Sequence, residues 1–417
     1  MNPESYPDKI EIMWIKNVIL IFAMCSAYIF FSIINILGIK YNGANESNMY
    51  IVFCVLLAVM SLLIIFFDWG HHRFRFNKYQ YVFLCIPILI TFLFIKEYTG
   101  NSHIFRTFQL FLIWSVVSLY IGIYYAKNKC EYNDSIKYWM LLMWFLSIGT
   151  IKILFLFLLT TNKYLKSIDG YQTLSYTSAL AYSLNLFFIL YKSKIKLFPF
   201  CSHPVYKILS IVLLALQVLC VFISGGRGGF VVIVFSSIIL FCYGLNFSII
   251  RKKTMLIFSL FTIIIVLVSI PFFSKNELIK VGVNRVFSYI SSSGIDMKQT
   301  SYRDIVYNEA LIKIKNRPLF GHGVFRQMDY MGEWMYPHNF FLEILLGGGI
   351  VYLLFILLIS YIFYKRMIYL VKLDISHVLL LSIFSFTFVL LMFSGTYLST
   401  PFFWFLGSYV FSYPTKL

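Results

Sequence analysis

Charge is scarce in this chain. Asp, Glu, Lys and Arg make up 12% of its 417 residues, hydrophobic types make up 60%, and the mean hydropathy is +0.81. That balance excludes a soluble globular domain and points to a polytopic membrane protein. Acidic residues are the scarcer sign: 17 Asp and Glu against 35 Lys and Arg leave a net charge of +18. The excess does not imply nucleic-acid binding, because the basic residues follow alternate connections between apolar runs. Repeats, low-complexity tracts and Pro-rich linkers are also lacking, so one integral-membrane domain over residues 1–417 is expected. The start, with Glu4, Asp8 and Glu11, lacks the basic segment, short apolar core and small-residue cleavage site of a signal peptide. The first apolar run is therefore expected to remain as a helix. None of the seven cysteines falls in the one long polar segment, so no outward-facing disulfide is expected. No spacing of His, Cys, Asp or Glu resembles a metal site.

What the chain does have is a succession of apolar runs long enough, or nearly so, to cross about 30 Å of hydrocarbon. Twelve are read, on residues 14–36, 49–67, 81–96, 107–125, 138–160, 176–191, 208–224, 229–246, 255–273, 339–363, 377–394 and 400–413. The expected fold is all-α, with about 12 transmembrane helices. With the N-terminus inside, 19 basic residues lie on inner segments against six on short outer loops (Lys40, Lys96, Arg106, Lys163, Lys166 and Arg227). The bias puts both termini in the cytoplasm and the long polar segment, residues 274–337 between runs 9 and 10, outside. Two amphipathic helices are expected in that segment. One carries Ile279, Val283, Val286, Phe287 and Ile290 on a face and ends at Ser291-Ser292-Ser293-Gly294. The other starts at the capping box Ser301-Tyr302-Arg303-Asp304, carries Tyr307, Ala310, Leu311 and Ile314, and stops at Pro318. Both are expected to lie along the membrane surface and roof a cavity.

Few residues in such a chain can do chemistry. Arg303 stands in the first turn of its helix, where the dipole disfavours a cation, and shares the apolar stripe. An anion such as phosphate would relieve both costs, whereas a snorkelling Arg would touch lipid headgroups instead. Arg227 sits in Ser224-Gly225-Gly226-Arg227-Gly228-Gly229, either an anion-binding nest or a tight helical hairpin. His338 follows Pro337, a favoured first helical residue. It is thus expected in the first turn of a membrane helix, where helix-start amides would keep the imidazole neutral and able to accept a proton. Gly347, Gly348 and Gly349, deeper in that helix, would admit a lipid chain or, more simply, a closely packed helix. Tyr330, Trp334 and Tyr336 could stack on sugars or form an interfacial belt. Asp329 and Glu333 could pair as acid and base, and Glu343 and Lys152 are ionisable groups inside apolar runs. His322, between Gly321 and Gly323, is expected on a flexible turn.

Taken together these residues resemble the O-antigen ligase/polymerase family of bacterial membrane enzymes. His338-Asn339, Gly349 and Tyr352 fit a His followed by Asn, Ser or Gln, nine residues, Gly, two residues, and Gly, Thr or Tyr. Arg227 matches an Arg in a small-residue turn between mid-chain spans. Arg303 with Asn316-Arg317-Pro318-Leu319-Phe320-Gly321-His322-Gly323 matches the Arg and Pro-Leu-Gly stretch of the family's large periplasmic loop. The similarity covers residues 208–363, with Gly226 where a Ser is common and Gly347 where an acidic residue is often expected.

The resemblance implies a glycosyltransferase C-like fold in the bacterial inner membrane, with the active site on the periplasmic side. It implies glycan transfer from an undecaprenyl-pyrophosphate-linked oligosaccharide to a sugar hydroxyl, inverting, without cofactor, nucleotide sugar or metal. Arg227 and Arg303 would hold the pyrophosphate and His338 would be the base. Asn339, Tyr330, Trp334, Tyr336 and His322 are the further substrate-binding candidates. The partners implied are the lipid-linked donor, membrane lipid and a polysaccharide chain-length regulator, with no nucleic acid. Short inner loops favour a polymerase over a ligase that moves glycan to lipid A-core. A flippase or transporter is the alternative of another class, but similar halves and midplane charges, its expected marks, are not evident.

Overall fold

The computed structural model describes residues 6–39, 44–72, 76–159, 171–195, 197–246, 290–291, 294–295 and 303–414. Among them it is all-helical apart from a two-residue pairing of Ile290–Ser291 with Gly294–Ile295. The helices are α1 (Tyr6–Met24), α2 (Ser26–Leu37), α3 (Ala44–His72), α4 (Lys78–Glu97), α5 (Ser102–Leu110), α6 (Val117–Lys127), α7 (Lys129–Leu159) and α8 (Tyr171–Tyr191). They continue as α9 (Pro204–Ser224), α10 (Arg227–Asn246), α11 (Arg303–Asn316), α12 (Gln327–Tyr330), α13 (Phe340–Leu373), α14 (Val378–Phe393) and α15 (Pro401–Ser412). Nine helical stretches among the described residues are long and apolar enough to cross a bilayer, and a bent pair makes a tenth. This is a polytopic membrane protein. The run at 255–273 and the expected helix over Ile279, Val283, Val286 and Phe287 lie outside the described residues. Ile290, placed on that helix by the sequence, lies in the strand pairing instead.

Helix α8 is the centre of the bundle: 83% of its apolar window is buried, against 17% for α4 and 22% for α3 at the periphery. It packs on α7, α9, α10 and α14. Lipid offers no hydrophobic drive between helices, so polar side chains contribute to holding them. Asn185 on α8 donates to the Ser210 carbonyl (2.9 Å) and to Gln217 Oε1 (3.1 Å) on α9. Gln217 in turn donates to Ser147 Oγ on α7 (2.7 Å).

Two expected spans are broken. The first apolar run bends by 96° at Cys25, between α1 and α2. Helix α2 then ends at Gly38, whose φ of +72° gives a left-handed cap, and Lys152 Nζ donates to the freed Ile36 carbonyl (2.7 Å). Lys152, flagged as an ionisable group inside an apolar run, thus serves a helix C-terminus, where carbonyls and the dipole favour a cation. The run at 400–413 is no full span either. Helix α15 has 12 residues, about 18 Å at 1.5 Å per residue, and is preceded by the largely non-helical stretch 394–400. Such backbone is tolerated at membrane depth only inside protein, and Thr396, Tyr397, Leu398 and Thr400 are buried. At the far end Arg366 satisfies the α15 carbonyls of Val410 (3.0 Å) and Phe411 (3.1 Å), and that of Tyr413 (2.8 Å).

The described part of the long loop docks on α13 through backbone. Gly349 has φ +65° and ψ −163°, which breaks the helix. The amides of Ile350 and Val351, which would bond Leu346 and Gly347 in a regular helix, bond the Pro318 and Leu319 carbonyls (2.8 and 3.3 Å). The freed Leu346 and Gly347 carbonyls accept from His322 and Gly323 (both 2.8 Å). These four groups released by the kink thus find loop partners. A Cβ on Gly321 would lie 2.5 Å from Gly348 N, and one on Gly349 2.4 Å from Leu319 C. The triple glycine therefore admits loop backbone, not the lipid chain or helix expected from sequence. Glu97 and Asp329 complete the anchorage. Glu97 accepts from the Phe325 and Arg326 amides (2.7 and 3.3 Å), while Asp329 accepts from Thr99 and Asn101 (2.9 and 2.8 Å).

Candidate active site

Helix α13 begins at Phe340, with Asn339 as its cap accepting from the Phe341 and Leu342 amides (3.1 and 3.2 Å). Pro337 and His338 therefore precede the helix and do not form its first turn as the sequence suggested. The Asn339 side chain is used in capping, which removes the motive for assigning it to substrate. Met335 and His338 have φ of +59° and +51°, the non-glycine residues with positive φ among those described. Each costs about 1–3 kcal/mol, and such strain clusters at functional sites.

What holds this bend is the carbonyl-lined end of α14. Tyr336 donates to the Ser394 carbonyl (2.9 Å), and its ring lies 4.4 Å from that of His338. Arg303, first residue of α11, donates from Nη2 to the Phe393 carbonyl (2.8 Å) and stands 4.8 Å over the Phe393 ring. Burial lowers the His338 imidazole below its ordinary value of 6.5, the nearby Arg303 charge lowers it further, and the Ser394 carbonyl opposes both. The neutral ring is the result the sequence suggested, but the cause is burial and Arg303, not helix-start amides. His338 Nδ1 is buried with no hydrogen-bond partner among the described residues. Burial raises the Tyr336 hydroxyl well above its ordinary range, and the Glu343 charge adds to this.

Behind this bend stands Glu343, fully buried one turn into α13 and hydrogen-bonded to Thr396. It ties α13 to the stretch 394–400 that supplies the Ser394 carbonyl. On the other side, Tyr176 of α8 shares a hydrogen bond with Ser394 Oγ (2.8 Å). A Cβ on Gly228 would lie 1.9 Å from Tyr176 Oη, and one on Gly226 2.2 Å from Ser175 Cβ. Ser175 Oγ also donates to the Gly226 carbonyl (2.9 Å). The glycines around Arg227 therefore press the turn onto α8, and Gly226 has no room for the Ser common in the family. The turn that holds Arg227, first residue of α10, thus lies against Tyr176, which bonds the same Ser394 that Tyr336 does.

The remaining sequence candidates are absorbed by the loop's own packing. His322 is 7% exposed, its Nε2 is 2.9 Å from the Lys313 carbonyl, and its ring lies 4.2 Å from Tyr330. That turn is anchored, contrary to the flexibility expected of a Gly-flanked residue. Trp334 packs with Val306, Ala310, Met331 and Leu346. Val306 is buried where the sequence put Leu311 on the apolar stripe, and Leu311 is 44% exposed. Asp329 accepts from Thr99 and Asn101, and the side chain of Glu333, its expected acid–base partner, lies outside what the structure describes. Sequence reading overlooked Tyr176, Phe393, Ser394 and Thr396. Their signal was the polar Ser394-Gly395-Thr396 break between two apolar runs, which reads equally well as an ordinary outer loop.

Beside Tyr336 lies a cavity of about 650 Å³, walled by α2, α7, α8, the end of α14 and the stretch 394–401. Its wall includes Tyr28, Asn35, Trp114, Gln172, Tyr176 and Ser394. The described architecture defines a polytopic membrane protein with a strained, histidine-bearing bend where a polar loop meets the spans. Residues 209–357, from α9 to mid-α13, match the family described as O-antigen ligase. That segment is thus similar to the O-antigen ligase/polymerase family, whose members are glycosyltransferase-like enzymes. No curated protein and no solved structure matches the chain.

Proposed function

We propose that the protein is an inner-membrane O-antigen polymerase, transferring a glycan from an undecaprenyl-pyrophosphate carrier to a sugar hydroxyl of a second lipid-linked repeat. The observation that carries this reading is the meeting of Arg303, Tyr336 and His338 at Phe393–Ser394. The acceptor oxygen attacks the anomeric carbon as the bond to pyrophosphate breaks and its electron pair leaves with the phosphate. The acceptor's proton passes to neutral His338, and the configuration inverts. Arg303 and Arg227 stabilise the charge growing on the leaving group. Tyr336 stays protonated and holds Ser394, so it does not compete as the base.

The short-loop charge bias supports cytoplasmic termini and a periplasmic active site. Asn308, exposed on α11, is a suitable reporter: Asn308→Cys should react with an impermeant thiol reagent once the outer membrane is permeabilised. Labelling only after inner-membrane lysis would invert the orientation. For the reaction itself, a lipopolysaccharide gel of a deletion strain should show core capped by single repeats. Bare core with lipid-linked polymer accumulating would mean a ligase, and loss of outward repeats a flippase.

A further inference from the structure

We infer that the cavity beside Tyr336 binds an uncharged saccharide, the glycan carried on the lipid; this rests on the glycosyl-transfer reading above. Three helix interruptions face the cavity. The break at Cys25 puts Ser26 and Ala27 in its wall, the π-helical turn Phe111–Val116 brings in Trp114, and the irregular start of the stretch 394–400 brings in Ser394 and Thr396. Interrupted helices leave backbone groups to be satisfied elsewhere and recur where a membrane protein lines a cavity. Three of them around one space mark it as built.

None of the described lining residues carries a charge, and neither Arg303 nor Arg227 is among them. A pyrophosphate there would be a buried anion without a counter-charge, so the anion belongs at the arginines outside. An isoprenoid tail would need a wholly apolar wall. This wall has apolar stretches, such as Ile34, Ile153 and Leu156, but Asn35, Gln172, Thr173 and Ser394 line it as well, together with the rings of Tyr28 and Trp114. The Asn35 amide nitrogen is buried with no hydrogen-bond partner among the described residues. Amide and hydroxyl groups in one wall with aromatic rings suit a pyranose, which has polar edges and apolar faces. The same lack of cations among the described lining residues disfavours a uronic acid in this cavity; Lys152, the cation beside Gly38, is spent on the Ile36 carbonyl.

The test uses the full-length protein in lipid nanodiscs, titrated with undecaprenyl pyrophosphate and with the lipid-linked oligosaccharide extracted from the host. Asn35→Leu removes an unpaired buried donor at similar volume, so thermal stability should hold or rise. Its affinity for the oligosaccharide-bearing lipid should fall about tenfold, while undecaprenyl pyrophosphate binds within about twofold of wild type. Unchanged affinity for both ligands overturns the inference, and equal loss of both overturns it in favour of the lipid tail. A second measurement covers a variant that fails to fold. In a C85S/C130S/C242S background, Thr173→Cys should be shielded from a small methanethiosulfonate by the oligosaccharide-bearing lipid and left reactive by undecaprenyl pyrophosphate. Shielding by both or by neither overturns the inference. Arg303→Ala in the same titration tests the transfer reading separately: it should lose undecaprenyl pyrophosphate, whatever Asn35→Leu does.

Discussion

Two histidines, one in the long loop and one just past its end, stand sixteen residues apart in turns built on opposite terms. His322 lies in a turn whose backbone is paired to α13, with its Nε2 at the Lys313 carbonyl and its ring on Tyr330. His338 lies in a left-handed bend between Tyr336, Arg303 and the Ser394 carbonyl. An unpartnered Nδ1 does not separate them, because among the described residues both rings have one. Their surroundings do. One turn spends its polar groups on docking the loop, and the other keeps a cation, a neutral imidazole and strained backbone beside a cavity. A motif residue's neighbours, not its type, decide between structure and chemistry.

The sharpest way to break this contrast is to exchange the two roles. His338→Ala should lower turnover of a lipid-linked donor by about a hundred- to ten-thousandfold with protein level unchanged, as loss of a general base does. A variant within a few-fold of wild type would remove His338 from that role. Gly349→Ala attacks the docking side. It puts a side chain at φ +65°, ψ −163°, with its Cβ 2.4 Å from Leu319 C. It should destabilise by about 3 kcal/mol or more, seen as a lost or strongly lowered melting transition; a near-wild-type transition would show that the loop does not depend on this kink.

Arg303→Lys should cost about ten- to a hundredfold in turnover, close to Ala, because an ammonium lacks the planar fork and its stacking over Phe393. Near-normal turnover would leave Arg303 as diffuse positive charge. His322→Ala should retain turnover within a few-fold but lose about 1–2 kcal/mol of stability from the vacated Lys313 carbonyl and Tyr330 ring. A larger loss of rate than in His338→Ala would reverse the comparison. The smallest effect is a shift in the acid limb of the rate. Only neutral imidazole accepts a proton, so turnover rises with pH through the His338 pKa. That pKa is lowered by burial and by Arg303, which places the limb below pH 6.5. Arg303→Gln removes one lowering cause, and the limb of its residual activity should move up; an unmoved limb would assign it to another group.

Much of this was legible in the chain. Most of the apolar runs, the helix starting at Arg303 and the three family motifs are all local in sequence. So is the suspicion of Glu343, an acid inside an apolar run. Less legible was why two motifs occur together. Pro318–Gly323 and Gly347–Gly349 are one structure, since each supplies the backbone partners that the other's turn or kink leaves open. Asn339 and His322, read as ligands, turned out to be a helix cap and a loop anchor.

The sequence by itself determined that the chain crosses a membrane, because hydrophobic transfer adds up residue by residue along the chain; the side on which its polar loop lies is an expectation from charge bias. Only the tertiary structure decided which runs are broken, at Cys25 and at 394–400, and which histidine meets a cation. Those outcomes depend on what approaches from far along the chain: Lys152 at the Ile36 carbonyl, Phe393 under Arg303, Ser394 above Tyr336. Buried polar groups must find partners wherever the packing brings them, and that pairing has no local signature.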